Sequence, residues 1–410
     1  MVKKFLSSAN NRIVFILVTM FLNFLGFSIL FPILPFMVGK YVKNPHEIAF
    51  YVGTLLSAYA LCQFIAAPGL GALSDRFGRK PILLLSLFGS VVGYIFLGIG
   101  GALWVLFLGR IIDGLTGGNI STIYAYMADI TKPQDRGKYF GMLGAAGGFG
   151  MVFGPVIGGF GGTIHLSVPI FIAAGITFID MVFGYFILPE SLAAEHKTVK
   201  FDFKHLNPSR QFGHVLSINI LKRLFLSGFI FFVAINAMYA NNSVFLKDVF
   251  NWGPSQIGIL LFTIGIVDIF TQGFLIRKLL PKFGDLNVNI LGLLLTFVGF
   301  VIAASNAIIV SAVLIYVGLI IINIGDGLVE PSSSSLISTA VGPKMQGRVS
   351  GANQGMQSVA RVIGPFLSAW IYRYWKGLPY ASEAMLIIFA LVILLISIPI
   401  IKSHRPEDYS

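Results

Sequence analysis

Apolar runs of about twenty residues, the length needed to cross a bilayer core roughly 30 Å thick, follow one another along almost the whole chain of 410 residues. They fall at 14–38, 49–72, 81–100, 102–127, 139–161, 168–188, 224–246, 255–276, 287–304, 307–330, 349–372 and 384–401. In hydrocarbon, backbone N–H and C=O groups must bond inside a helix or a closed barrel. These runs are too long and too uniformly apolar for barrel strands, so the expected fold class is an all-α membrane protein with twelve transmembrane helices. Composition excludes the alternatives. Charged residues make up 11% of the chain, against about 25% in a typical globular protein, too few for a soluble enzyme or a disordered chain. The single cysteine, Cys62, rules out an intrachain disulfide. The first run follows Lys3, Lys4 and Arg12, as a signal peptide would, but it is too long for an h-region and has no small-residue cleavage site. It reads as an uncleaved first span.

Lysine and arginine set the orientation. With both termini cytoplasmic, inner segments hold 22 of the 29 cations and outer loops hold 5, namely Lys40, Lys43, Lys247, Arg373 and Lys376. Arg110 and Arg361 lie inside spans. The net charge of +12 is thus topogenic, and no nucleic-acid partner is needed to explain it. One long inner segment divides the chain into an N-terminal six-helix bundle (1–190), a cytoplasmic linker (191–223) and a C-terminal six-helix bundle (224–410). The halves repeat. Gly137, Gly141, Gly154 and Pro155 recur 210 residues later as Gly347, Gly351, Gly364 and Pro365. Asp113-Gly114-Leu115 recurs as Asp326-Gly327-Leu328, and Gly53 as Gly258. Two pseudo-symmetric parallel bundles are a recognised transporter layout, with the substrate site near mid-membrane.

Within the spans the chain carries acids Asp113, Asp180, Asp268, Asp326 and Glu330, against Arg110 and Arg361. Ionisable groups at that depth are costly and usually face a partner or a cavity. Arg110 and Asp113 share one face of span 4, readable as a structural ion pair or as a proton-coupling element. Asp326 and Glu330, one turn apart on span 10, do not both ionise readily. Asp113, Asp326 and Glu330 are therefore the first candidates for carrying protons, with Asp268 and Asp180 second. The excess of acids favours a cationic or zwitterionic amphiphilic substrate. Asn23, Gln63, Tyr124, Asn236, Tyr239 and Arg361 are candidates for lining its site; Asn23 and Asn236 read equally well as glue between helices. All six histidines (His46, His165, His196, His205, His214 and His404) fall in loops or tails, so no metal site is expected, and no nucleotide-binding glycine motif points to ATP.

Two strings are more specific. The loop after span 2 reads Gly71-Ala-Leu-Ser-Asp75-Arg76-Phe-Gly78-Arg79-Lys80-Pro81, and span 5 contains Gly150-Met-Val-Phe-Gly154-Pro155-Val-Ile-Gly158-Gly159. As patterns, the first is a positive-inside turn with Asp75 placed to cap a helix, and the second a small-residue packing stripe. As strings, the first resembles the loop signature of the major facilitator superfamily and the second the antiporter signature of its twelve-span drug:H+ branch. The resemblance covers essentially the whole chain and is particularly close to tetracycline/H+ antiporters, as in Phe31-Pro32-Ile33-Leu34-Pro35. It implies that Gly71, Asp75, Arg76, Gly78 and Arg79 form a conformational latch, Asp75 capping a helix of the other half and Arg79 pairing with Asp129. It also implies that Arg110 is the family's span-4 arginine. The matching loop of the second half, Lys278 to Asp285, lacks the acid. Those antiporters carry acids in spans 1 and 3, where this chain has Asn23 and Val92, so their drug and proton residues do not transfer directly. The implied function is proton-coupled efflux of small amphiphilic compounds, tetracycline-like among them, by alternating access in the cell membrane. No cofactor is expected beyond the coupling proton, nor any partner beyond substrate and membrane lipid, and the chain is expected to be a monomer. A nutrient symporter, a lipid flippase and a sensor without turnover are the alternatives, and a membrane enzyme is not expected.

Overall fold

The computed structural model describes residues 9–193, 195, 218–342 and 345–403. Nearly all of them are helical, and no strand occurs among the described residues. The chain runs through α1 (Ala9–Ser28), α2 (Leu34–Val38), α3 (Pro45–Phe77), α4 (Arg79–Ile99), α5 (Leu103–Thr116), α6 (Ile120–Ile130), α7 (Arg136–Ile164) and α8 (Val168–Ile187). It continues as α9 (Asn219–Phe250), α10 (Pro254–Phe270), α11 (Ile276–Ser305), α12 (Ala312–Thr339), α13 (Gln346–Tyr372) and α14 (Leu378–Ser403). The expected linker lies almost wholly outside the described residues, as do His196, His205, His214 and His404.

Among the described residues, 9 helical segments are long and apolar enough to cross a bilayer. Three features account for the difference from twelve. Pro254–Ser305 counts as one segment of 52 residues, which at 1.5 Å per residue is about 78 Å and enough for two crossings. It loosens into a π turn at Thr271–Leu275 and bends at Gly284, where φ is 75°. The expected fourth span is interrupted between Thr116 and Ile120, leaving α5 and α6 each too short to count. Finally, α13 has the length but carries Arg348, Asn353, Gln354, Gln357 and Arg361. The expected first span also ends early, because Pro32 and Pro35 lack N–H donors. The chain turns through Ser28–Ile33 on single-turn hydrogen bonds before α2 begins.

The helices gather into two compact units. The described residues of the first are 9–43, 58–193, 195 and 252–262; those of the second are 44–57, 218–251, 263–342 and 345–403. Hydrocarbon supplies no hydrophobic drive between helices, so close backbone approach decides packing. In the first unit α4 crosses α5 at Gly93 and Gly109, where a Cβ on either glycine would lie 2.7 Å from the other's carbonyl oxygen. The second unit repeats this at Gly299 of α11 and Gly318 of α12, where a Cβ on Gly299 would lie 2.7 Å from the Gly318 oxygen. Along α7, Cβ atoms on Gly150, Gly154 and Gly158 would strike the carbonyl oxygens of Phe21, Leu25 and Ile29 of α1. In the second unit a Cβ on Gly364 of α13 would likewise lie 2.7 Å from the Val233 oxygen of α9. Below the α1–α7 seam, Ile13, Ile16, Met20, Leu83, Ile123, Tyr126, Met127, Leu143 and Leu188 form an apolar core.

The start of α4 shows how a distant residue completes a helix. Gly78 holds φ at 113°, which reverses the chain between α3 and α4, and no cap comes from its own side chain. Instead Glu190, just past α8, accepts hydrogen bonds from the backbone N–H of Arg79 (2.8 Å) and Lys80 (3.2 Å). Two of the unpaired donors at the helix N-terminus are thereby satisfied. Asp75 does not cap α4, because it is still within the last turn of α3 and turns to Arg79.

Two tests follow from the packing. Gly93→Ala and Gly299→Ala push a methyl into backbone and should each destabilise the purified protein by about 1–3 kcal/mol, seen as a lower thermal midpoint. Gly144→Ala, where no atom lies within 4 Å of the new Cβ, should leave the midpoint unchanged or raise it. Glu190→Ala, which removes the cap of α4, should cost about 1 kcal/mol in the same measurement.

Candidate functional site

The first unit buries a guanidinium. Arg110 of α5 is 0% exposed and donates from Nη1 to Oδ2 of Asp113 at 3.3 Å, one turn away on the same face. Its plane lies over the Tyr59 ring of α3, 4.0 Å to the centroid, and reaches the Phe27 ring of α1 at 5.7 Å. Nε and Nη2 have no hydrogen-bond partner. One carboxylate and two aromatic faces thus hold the cation, as an ionisable group at membrane depth requires.

A ring of amides lies next to it, where span 4 breaks. Asn23 of α1 donates to Oδ1 of Asn119 at 3.1 Å, and Gln63 of α3 donates to the Gly117 carbonyl at 2.9 Å and lies 3.2 Å from the Tyr59 hydroxyl. Both side chains thus join helices and supply partners to backbone and side-chain groups that the break leaves open. Asn119 itself is fully buried with Nδ2 unpaired. Its position in Gly117-Gly118-Asn119, inside an apolar run, is the sequence signal for the interruption.

The second unit gathers carboxylates. Asp268 of α10, Asp326 and Glu330 of α12 act electrostatically on one another, and Arg361 of α13 acts on Glu330. Tyr239 of α9 donates to Asn323 Oδ1 at 3.2 Å and lies 3.5 Å from Asp326 Oδ2. Gln272, in the π turn directly after Asp268, donates to Asp268 Oδ1 at 2.9 Å. A pocket of about 390 Å³ opens beside Glu330, lined by Ser334, Ser338, Asn353, Gln354 and Gln357 among others. Asn323 is the repeat counterpart of Arg110, three residues before its aspartate in both halves. The second half therefore keeps the acid and has lost the cation beside it.

At the loop signature, Arg79 pairs with Asp75, donates from Nη1 to Ser74 Oγ at 2.6 Å, and from Nε to Asp129 of α6 at 3.2 Å. Ser191 adds a 2.9 Å hydrogen bond to the same Asp129 oxygen. Gly71 packs toward Ser121, and Arg76 is exposed over Phe77. The second unit holds a counterpart of opposite make-up. Asp285, which follows Gly284 as Arg79 follows Gly78, accepts from Ser335 of α12 at 2.9 Å. Both pairs span 50 residues. The acid of the second loop has moved to the arginine's position.

The span-5 string is a two-sided seam. Gly150, Gly154 and Gly158 meet α1, Ser28 donates to the Gly150 carbonyl at 3.0 Å, and Gly159 faces Gly258, a Cβ on it lying 3.0 Å from the Gly258 Cα. Gly258 in turn packs on the Pro155 carbonyl. The remaining candidates lie apart from these clusters. Tyr124 packs edge-on against Phe140, 5.2 Å between centroids, in the apolar core; Asn236 bonds its own helix at Phe232. Asp180 of α8 accepts from Thr19 of α1 at 3.3 Å. One membrane acid escaped the sequence reading: Glu383, 1% exposed on α14, accepts from Ser368 at 3.3 Å and leaves Oε2 unpaired. It lies one residue before the expected last span, and Pro379, near the true start of α14, is the helix-start signal that would have included it. Among the described residues no three His, Cys, Asp or Glu side chains gather as a metal would require.

Residues 16–365 match the Major Facilitator Superfamily profile. The chain is 33% identical over 387 residues to the class C tetracycline resistance protein of Escherichia coli, covering 93% of this chain and 96% of that one. It is 33% identical to the class B protein of the same organism, covering 88% of this chain and 89% of that one. Multidrug resistance protein 2 of Bacillus subtilis (strain 168) is 27% identical, with 95% and 96% covered. Among solved structures, the human organic anion transporter MFSD10 (TETRAN) superposes with a TM-score of 0.71 at 23% identity, covering 94% of this chain and 99% of that one. A bacterial homologue of the human lysosomal transporter Spinster superposes with a TM-score of 0.76 at 14% identity, covering 97% of both chains. These two share the fold. The profile match over most of the length, together with end-to-end relatives above 30% identity, shows that this multi-pass membrane protein belongs to the Major Facilitator Superfamily.

Proposed function

We propose that the chain exports small amphiphilic drugs, tetracycline-like compounds among them, by alternating access in exchange for protons, from a cell membrane in which both termini are cytoplasmic. The observation that carries the reading is the grouping of membrane-level ionisable groups, the buried and incompletely paired Arg110–Asp113 in one unit and the half-buried Asp268, Asp326 and Glu330 with Arg361 in the other. A merely structural ion pair would satisfy all its donors, because unpaired polar groups in a low-dielectric interior are costly. End-to-end similarity to tetracycline and multidrug resistance proteins supports the substrate class. The span-5 glycines, each set against backbone of a neighbouring helix, support the antiporter reading.

In this mechanism Asp113, Asp326 and Glu330 take protons on the outer side and release them inside, with Asp268 as the neighbour of the latter two. Protonation of these acids outside removes negative charge that holds a cationic or zwitterionic cargo and so favours its discharge there, and proton release inside resets the carrier. In the second unit, Tyr239 and the amide-lined pocket beside Glu330 offer hydrogen bonds that orient a polar edge of the cargo. Arg79, Asp75 and Asp129 latch one conformation. Glu383 raises the buried acids above those counted from sequence, in keeping with a cationic or zwitterionic cargo.

Acidified inverted vesicles report this directly. Tetracycline or a lipophilic cation should dissipate the gradient with wild-type protein, and Asp113→Asn, Asp326→Asn and Glu330→Gln should each abolish the response at unchanged expression. Retained drug-dependent proton movement in all three variants sinks the assignment, and sugar uptake driven by the same gradient would replace it with symport. The orientation is checked in a Cys62→Ser background: Lys40→Cys and Arg373→Cys should react with a membrane-impermeant thiol reagent on intact cells, and Lys138→Cys only after permeabilisation.

A further inference from the structure

Asp180 lies outside both clusters, and its surroundings are those of a binding site. It is 5% exposed; Thr19 occupies Oδ1 while Oδ2 is buried without a partner. The carboxylate lines a crevice of about 440 Å³ between α1 and α8, whose walls include Val14, Phe15, Val18, Leu22, Ile179 and Phe183. Val14, Val18, Ile179 and Phe183 are exposed, and such apolar faces of a membrane helix meet lipid chains. The crevice thus combines an apolar groove reachable from the bilayer with one carboxylate oxygen in need of a donor. Its volume lies in the range that holds a drug-sized molecule.

We infer that the α1–α8 crevice binds a lipophilic amine drawn from the bilayer, its nitrogen on Asp180 and its apolar body along Val14, Val18, Ile179 and Phe183. Charge complementarity selects the amine. An ammonium on a carboxylate and a neutral amine on a carboxylic acid are the same pair with the proton shifted, so either form that reaches the site completes the hydrogen bond left open at Oδ2. Depth selects against a phospholipid headgroup. Asp180 lies seven residues inside the end of α8 at Ile187, about 10 Å along the helix, below the level where a headgroup amine resides. The inference concerns binding alone and stands whether or not the bound amine is exported.

The test uses the full chain in phosphatidylcholine nanodiscs and a dodecylamine carrying a photoreactive diazirine, with the matching alcohol and carboxylic acid as controls. The amine should label peptides spanning Val14–Leu22 and Ile176–Phe183, about tenfold more than the alcohol, the factor that one charge-assisted hydrogen bond supplies. Asp180→Asn should bring the amine down to the alcohol's level. Val18→Trp should block labelling with Asp180 intact, and because Val18 is 43% exposed this change fills the crevice without entering the core. Equal labelling by amine and alcohol, or labelling that survives both variants, overturns the site. Competition by phosphatidylethanolamine added to the nanodiscs overturns the choice of occupant in favour of a lipid headgroup. Labelling is read without transport, so protein that labels but does not export counts against the proposed function alone, and protein that exports but does not label counts against this crevice alone.

Discussion

The crossing of α4 over α5 at Gly93 and Gly109 is the contact on which the rest of the first unit depends. A methyl on Gly93 would meet the Gly109 carbonyl and also Asp113 Cβ, at 2.8 Å. The absence of two side chains therefore sets where Asp113 lies and, one turn away, where Arg110 can put its guanidinium. In water such a seam could be replaced by interdigitating leucines, but in lipid a leucine gains nothing by leaving the acyl chains. Close backbone approach is the remaining source of specificity, and the chain uses it again at Gly299 and Gly318, along α7, and at Gly364.

Repetition of the scaffold makes the differences between the halves informative. Both halves place an aspartate at the same point of the helix that crosses over a glycine, yet Arg110 precedes it in one and Asn323 in the other. Both turn the chain at a glycine of positive φ, Gly78 and Gly284, yet the residue that follows is Arg79 in one and Asp285 in the other. Backbone geometry is retained where sterics demand it, while charge at the equivalent positions has diverged. Unequal charge at equivalent positions places the acids of the two halves in unequal electrostatic surroundings.

Much of the architecture was legible because hydrocarbon imposes it. Length and apolarity forced helices, and the cation bias set the orientation expected of them. The repeat of Gly154-Pro155 at Gly364-Pro365 announced two halves with matching seams. Less legible were the interruptions. Span 4 reads as one apolar run, but Gly117 and Asn119 break it, and Asn23 and Gln63 from other helices supply hydrogen bonds to the groups the break leaves open. The capping of α4 by Glu190 has the same character: in sequence Glu190 merely closes span 6, and its role exists only where the end of α8 meets the start of α4. Of the candidate site residues, Arg110 and Asp113 were placed together by helical spacing alone, whereas the grouping of Asp268 with Asp326 and Glu330 required the helix-to-helix fold.

The sequence by itself determined that this chain lives in a membrane as a bundle of helices and pointed to two related halves, because each of those readings follows from local or periodic properties of the chain. Tertiary structure alone decided which polar groups are satisfied and which are left waiting. Asp180 reads in sequence as a lone aspartate in an apolar helix, and only the fold shows that Thr19 holds one of its oxygens while the other is left unpaired beside an apolar crevice. The physical reason is that in a low-dielectric interior the state of a charge depends on partners a few ångströms away, and those that helical spacing does not supply come from other helices.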